Sequence, residues 1–298
     1  SDWNDMLYKV CREGKGESIW TSMQFGTVLP MIAEMARLKG EDDKKFLDIY
    51  ESQKKLVNTI AWDGEWFRRC ITDNGTFIGS KSEPQAKIWL NAQSWSVISK
   101  MGDADKQIQA MDSVKKYLDT PLGIKKIEPS MTTDYPSKEG ALTCYNKGCG
   151  ENGSVFCHAN TWAIIAECIL QRPENAYKYY HQLLPMIAQK NAGEWRYKAE
   201  PYVYSSNIFG PESDKFGLAN VSWLSGTAAW MYVAVTQYML GVKAKWEGLE
   251  INPCLSKEML PAKITRVFRG CKYSITITKN EKKFIPHVEG RKEYSVEI

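Results

Sequence analysis

Three short stretches of this sequence combine residue types that can do chemistry on a sugar and an anion. The first is Asp2-Trp3-Asn4-Asp5, followed by Gly14-Lys15-Gly16-Glu17-Ser18. An indole between two carboxylates offers a flat apolar face to a pyranose and an acid within reach of a glycosidic oxygen; four such residues equally make a capping turn. The second runs from Cys149 through Glu151, Asn152 and Gly153 to His158 and Trp162. A Gly-rich loop with one glutamate leads into a histidine at a helix start, where an imidazole can face an anion beside free backbone N–H groups. A structural histidine is the plain alternative, although the chain has only three. The third joins Glu200-Pro201-Tyr202-Val203-Tyr204 and Gly210-Pro211 to Trp223-Leu224-Ser225-Gly226-Thr227. Ser-Gly-Thr at a helix start presents hydroxyls and N–H groups without bulk, which suits phosphate. Small residues there also permit close helix packing.

These stretches need elements to carry them, and from residue 17 to about 240 the sequence reads as successive helices. Ser18 caps a first helix whose apolar positions Met23, Val28, Ile32, Met35 and Leu38 recur at helical spacing, and Gly40 ends it. Asp42 or Asp43 opens a second, with Phe46, Leu47, Tyr50, Leu56 and Ile60 on one side. Trp66 to Ile71 followed by Asp73-Asn74-Gly75 reads as a strand and tight turn. Further helices are expected over 86–101, 104–119, 159–170, 173–190 and 221–240, punctuated by Gly102, Pro121 and Gly241. Short turns alternate with the long connections 61–85, 120–158 and 191–220, and long irregular connections in compact domains are usually functional. This pattern describes a mainly α chain, part of a helical toroid of the (α/α)6-barrel type; an ordinary helical bundle is the simpler alternative. After Gly241 the texture changes to period-two alternation in Lys263–Val267, Tyr273–Thr278 and Tyr294–Ile298. The expected organisation is a helical domain over 1–241 and a small antiparallel β domain over 242–298.

Composition narrows the function classes. A formal charge of +4 over 298 residues, without a cluster of five basic residues, gives no reason to invoke nucleic acid. Lys279 to Lys283 reads as a solvated turn. No apolar run of about 18 residues could span a bilayer, and the N-terminus has no secretory apolar region. Eight cysteines occur without CxxC pairs; Cys144, Cys149 and Cys157 are the closest group, and their spacing does not suit a metal. Reduced, buried thiols fit the cytoplasm. The 11 Trp and 15 Tyr are more than packing alone tends to use, and such rings suit sugar faces.

In this order and separation, the three blocks resemble the cellobiose phosphorylase family, glycoside hydrolase family 94, over essentially the whole chain. That resemblance implies the C-terminal part of a longer protein, with the second half of an (α/α)6 barrel and a final β domain. It implies inverting phosphorolysis of a β-linked glucose disaccharide to α-glucose 1-phosphate, with Asp5 as general acid. Trp3 would lie against the sugar, Glu151 would contact the acceptor, and His158, Ser225 and Gly226 would bind phosphate with Thr227 beside them. Tyr145 would fill space that chitobiose-type members leave for an N-acetyl group, favouring glucose as acceptor. Ser206 departs from the Gln of many members, next to Asn207, and the family's phosphate-binding arginines lie upstream. The resemblance implies no cofactor beyond orthophosphate as co-substrate. Expected partners are the remainder of the same protein and a second copy in a homodimer. An inverting hydrolase on a similar barrel and an inactive carbohydrate-binding fragment are the competing readings.

Overall fold

The computed structural model describes residues 3–7, 10–132 and 145–298. Asp2 and Cys144 lie outside the described residues. Helices α1 (Ile19–Leu38), α2 (Lys44–Leu56), α3 (Leu90–Ile98), α4 (Ala104–Tyr117), α5 (Cys157–Ile169), α6 (Pro173–Leu183), α7 (Pro185–Ala192), α8 (Glu194–Tyr197) and α9 (Thr227–Val233) follow in chain order. The Ser18 hydroxyl accepts from the Thr21 N–H at 3.2 Å and so caps α1, as its position before the apolar repeat requires. Gly40 follows α1 at φ +74°, a backbone region that glycine enters without strain. The ends of α2 and α9 widen into π turns at Val57–Ala61 and Ala234–Met239.

Helices α1, α3, α5 and α9 form a row in which each packs on the next. A second row lies outside it, with α2 against α1, α4 against α3 and α6 against α5. The burial follows from this layering. Every residue of α3 from Leu90 to Val97 is buried, as is almost all of α5, so both are wrapped on all sides. By contrast, α2 buries none of its residues. At the edge of the row, α1 buries Trp20, Met23, Leu29 and Ala33 while leaving Phe25, Val28, Met31, Met35 and Leu38 exposed.

Short strands occupy the long connections. They are β1 (Glu17–Ser18), β2 (Cys70–Ile71), β3 (Phe77–Ile78), β4 (Ile88–Trp89), β5 (Asp119–Thr120), β6 (Gly123–Ile124), β7 (Ile127–Glu128), β8 (Val155–Phe156), β9 (Ser205–Ile208) and β10 (Ala219–Ser222). Three expected boundaries change for reasons of pairing or backbone chemistry. The helix expected from 86 starts at Leu90, because Ile88 and Trp89 pair with Glu128 and Ile127. The helix expected over 173–190 breaks at Leu184, because Pro185 has no N–H to continue it. The helix expected from 221 starts at Thr227, because Ala219–Ser222 pairs with Ser205–Ile208. The strand expected over 66–71 pairs only at Cys70–Ile71.

The C-terminal region holds β11 (Val242–Ala244), β12 (Gly248–Ile251), β13 (Ala262–Phe268), β14 (Cys271–Ile277), β15 (Lys283–Pro286) and β16 (Glu293–Glu297). They form two three-stranded sheets, ordered β11-β12-β15 and β13-β14-β16. The expected antiparallel pairing holds for β11 with β12, β12 with β15 and β13 with β14, and is corrected at one edge, where β16 runs parallel to β14, pairing Lys272 with Glu293 and Thr276 with Glu297. Buried Tyr273, Ile275 and Ile277 on β14 join one hydrophobic cluster with the helices.

Candidate active site

The N-terminal ends of the inner helices converge on one group of aromatic rings. Short extended segments lead into three of them, placing Ser18 before α1, Trp89 before α3 and Phe156 before α5. Gly226 stands before α9. Trp3 sits among them, its ring centroid 5.7 Å from Trp20, 5.3 Å from Phe156, 5.3 Å from His158 and 5.1 Å from Trp162. Edge-to-face and tilted contacts of this kind suit the aromatic quadrupole.

Asn4 is wholly buried and anchors the turn that follows. Its Oδ1 accepts from Arg69 Nη2 at 2.8 Å and from Asn91 Nδ2 at 3.5 Å. Arg69 also donates to the Ser18 hydroxyl at 2.9 Å, and its guanidinium lies over Trp20 and Trp89. One buried cation thereby ties the Trp3-Asn4 segment to the cap of α1. Asp5 begins a single 3-10 turn, Asp5–Leu7, and is exposed. A cavity of about 360 Å³ opens beside this turn, lined in part by Leu7, Cys11, Ser18, Thr21 and Phe25.

His158 and the Ser225-Gly226-Thr227 segment meet although 67 residues separate His158 from Ser225. A side chain at Gly226 would put its Cβ 2.7 Å from Cε1 and 2.9 Å from Nδ1 of the imidazole. The Ser225 hydroxyl accepts from the Thr227 N–H at 3.1 Å and shares a short hydrogen bond with the Thr227 hydroxyl. Thr227 is buried at the first turn of α9, and Ser225 is half-buried. Among the described residues, the buried Nε2 of His158 has no hydrogen-bond partner. Burial, aided by the nearby Lys126 charge, pushes the imidazole down to about 4, so it is neutral near pH 7.

The loop carrying Glu151 reaches Trp3 through Lys126. Asn152 fixes it: its Oδ1 accepts from the Met131 N–H at 2.7 Å, and its Nδ2 donates to the carbonyls of Met131 and Tyr145, each at 2.9 Å. Tyr145 packs its ring against Gly150, where a Cβ would lie 2.8 Å from the ring, and it remains 39% exposed. Tyr145 therefore borders the Glu151 loop on its open side. Lys126 Nζ stands 2.9 Å from Glu151 Oε1, and both residues are buried.

The structure thus brings Trp3, His158, Gly226, Ser225 and Thr227 together, with Glu151 joined to Trp3 through Lys126. Asp5 is two residues from Trp3 on the exposed side of the turn. Ser206 spends its hydroxyl on Asn207 and the Asn220 carbonyl, while Asn207 is buried in β9 opposite Phe156. Two residues of this region escaped the reading of the sequence, Lys126 and Arg69. Lys125-Lys126 in a long connection looks like solvated surface; the flanking Ile124 and Ile127 were the available sign of burial. Arg69 sits beside another arginine, and nothing local separates the buried one from its half-exposed neighbour Arg68.

Comparison with known proteins places this sequence in a family. A family model described as the glycosyl hydrolase 94 superfamily, catalytic domain, matches residues 1–241. The chain is similar to a solabiose phosphorylase of Paenibacillus borealis, 35% identical over 93% of this chain and 36% of the relative. It is similar to an N,N'-diacetylchitobiose phosphorylase of Vibrio proteolyticus, 34% identical over 93% of this chain and 34% of the relative. A 3-O-beta-D-glucopyranosyl-beta-D-glucuronide phosphorylase of Paenibacillus borealis is 29% identical, over 93% of this chain and 36% of its own length. The chain therefore spans about a third of the length of these curated relatives.

Proposed function

The chain belongs to the glycosyl hydrolase 94 superfamily, and from that premise we propose that it supplies the acid and much of the phosphate cradle of an inverting β-glucoside phosphorylase. The observation that carries this reading is the apposition of Gly226 to the His158 imidazole, with the Trp3 ring 5.3 Å away and Asp5 two residues further along. An anion held by the first group would lie close to a pyranose held by the second.

In the proposed reaction, protonated Asp5 donates to the glycosidic oxygen as the bond to the anomeric carbon lengthens and oxocarbenium character develops. A phosphate oxygen attacks from the opposite face, giving α-glucose 1-phosphate and the released sugar. Phosphate is already an anionic nucleophile, so one protein carboxyl suffices, whereas an inverting hydrolase needs a second to activate water. The task left to the protein is to hold phosphate in line. Neutral His158 can donate from Nε2, and the Gly226 N–H and the hydroxyls of Ser225 and Thr227 add donors. Binding phosphate would raise the imidazole pKa by placing a negative charge beside it. Glu151 would face the acceptor sugar, and the Tyr145 ring beside it would occupy room that an N-acetyl group needs, which favours glucose there.

In this reading, residues 1–241 are part of an (α/α)6 barrel in the cytoplasm and 242–298 a β domain packed on it. The two rows of helices support that arrangement. The exposed apolar stripe of α1 and the third-length match support a further portion of the same protein as the partner that closes the barrel. The test is a screen of β-glucose disaccharides with the full-length protein, with and without phosphate, reading glucose 1-phosphate. Phosphate-dependent release of α-glucose 1-phosphate, lost in Asp5→Asn with phosphate binding retained, is the expected result. Turnover without phosphate would favour the hydrolase instead.

A further inference from the structure

Lys126 is a buried cation that touches both Trp3 and Glu151 of the candidate site, and nothing in the reaction outlined above uses it. It is fully buried in the connection between β6 and β7. Its ammonium lies 4.3 Å from the ring centroid of Trp3 and 4.3 Å from that of Phe156, and 2.9 Å from Glu151 Oε1. The backbone holds it as firmly: the Lys126 N–H donates to the Ser154 carbonyl, and its own carbonyl accepts from the Leu90 N–H at the start of α3. Two segments far apart in sequence thus converge on one ammonium: Trp3 of the acid-bearing segment, and the stretch that carries Glu151 on the Gly-rich loop and Phe156 just before α5.

From this geometry we propose that Lys126 is a positioning residue of the phosphorylase: it fixes the Glu151 carboxylate against the acceptor sugar and registers that carboxylate to the Trp3 ring. The proposal rests on the reading of Glu151 as an acceptor contact. Lys126 acts by constraint. A carboxylate on a Gly-rich loop has several rotamers, and an ion pair out of water selects one of them strongly, since Coulomb attraction grows as the local dielectric falls. The two aromatic faces hold the ammonium by cation–π attraction, strongest where water is excluded. A lysine is a compact point charge that fits between two rings; a planar guanidinium would need more room. Burial is the larger cause of the lowered His158 pKa, and this cation adds to it, because its charge opposes protonation of the imidazole.

The test uses the full-length protein in the synthetic direction, with glucose 1-phosphate and glucose as substrates. Lys126→Met is expected to raise the KM for glucose on the order of tenfold to a hundredfold, with the KM for glucose 1-phosphate unchanged within about twofold, as expected when a uniform binding contact is removed on one substrate only. It should also move the His158 titration midpoint upward, read by NMR on histidine-labelled protein with the resonance identified by its absence in His158→Asn. The double variant Lys126→Met/Glu151→Gln removes both charges together, so it tests the same point without leaving a lone buried carboxylate. It should bind glucose no more weakly than Glu151→Gln alone, the non-additivity expected of two residues acting as one unit. Equal losses for both substrates, multiplying defects in the double variant, or an unmoved His158 midpoint would each overturn the proposal. Native protein without phosphate-dependent activity would instead overturn the phosphorylase reading, and the NMR arm would still report on the effect of the Lys126 charge on His158.

Discussion

Gly226 owes its identity to its neighbour rather than to its own backbone. At φ −73° and ψ −1° any L-residue fits, yet a Cβ would collide with the His158 ring. Gly226→Ala should therefore raise the KM for phosphate about tenfold or more, the cost expected from forcing a methyl into a filled space. In a His158→Ala background the same change should be nearly silent, and a double-mutant cycle on the phosphate KM checks this. The pH response of His158 has a definite sign. Its folded-state pKa of about 4 lies below the ordinary 6.5. The stability it contributes is thus full above about pH 6.5 and is lost as pH falls through 4, because the unfolded chain takes up the proton first. Saturating phosphate should raise the midpoint, which NMR titration measures. At this scale the sequence was legible where chemistry was scarce: one of three histidines at a helix start stood out, and Trp3 and Gly226 stood in motifs. Lys126 and Arg69 were not legible, since burial of a cation depends on rings brought in from distant segments.

Among the elements, α1 begins the inner row and its cap has two tasks. The Ser18 hydroxyl accepts from the Thr21 N–H and from Arg69. Ser18→Ala should cost at least the ~1 kcal/mol of a lost helix cap, measurable by denaturant unfolding, and it also frees one arm of the guanidinium that holds Asn4. Between α5 and α6, Glu167 is wholly buried. Arg172 is only 3.8 Å from it and sits closer to Asp112, at 2.7 Å, so burial prevails and pushes the carboxyl up to about 7. Its stability contribution is full below about pH 4.5, the ordinary value, and is lost as pH rises through 7. Glu167→Gln should flatten that dependence and unfold at higher denaturant than native protein at pH 8. Element ends were readable where a cap or glycine marked them, as at Ser18, which opens α1, and Gly40, which closes it. The break between α6 and α7 was readable too, from Pro185, but the apolar period running across it hid the signal. The parallel pairing of β14 with β16 left no local trace, because alternation gives a strand's faces and not its neighbour's direction.

Taken whole, the molecule is a double row of helices with an unsatisfied margin. Phe25 is 47% exposed, Met31 61% and Leu38 59%, all on α1. A contiguous apolar face of this kind on an isolated chain favours self-association. We expect residues 1–298 alone to have little or no phosphorolytic activity and to sediment as oligomers; robust turnover by the monomeric chain would contradict this. The helical layering was legible from turn spacing, whereas the convergence of four helix starts was not, because it depends on how the rows pack. That convergence gathers five tryptophans: Trp3, Trp20, Trp95, Trp162 and Trp230 form a chain of rings with neighbouring centroids 5.1 to 6.4 Å apart, and Trp3, Trp162 and Trp230 also pack on His158. Indoles this close share their excited states, so the protein carries a built-in chromophore spanning every inner helix. Near-ultraviolet circular dichroism should then register occupancy of the pocket directly, without label or coupled assay, because any ligand that tilts one ring alters the optical activity of all five.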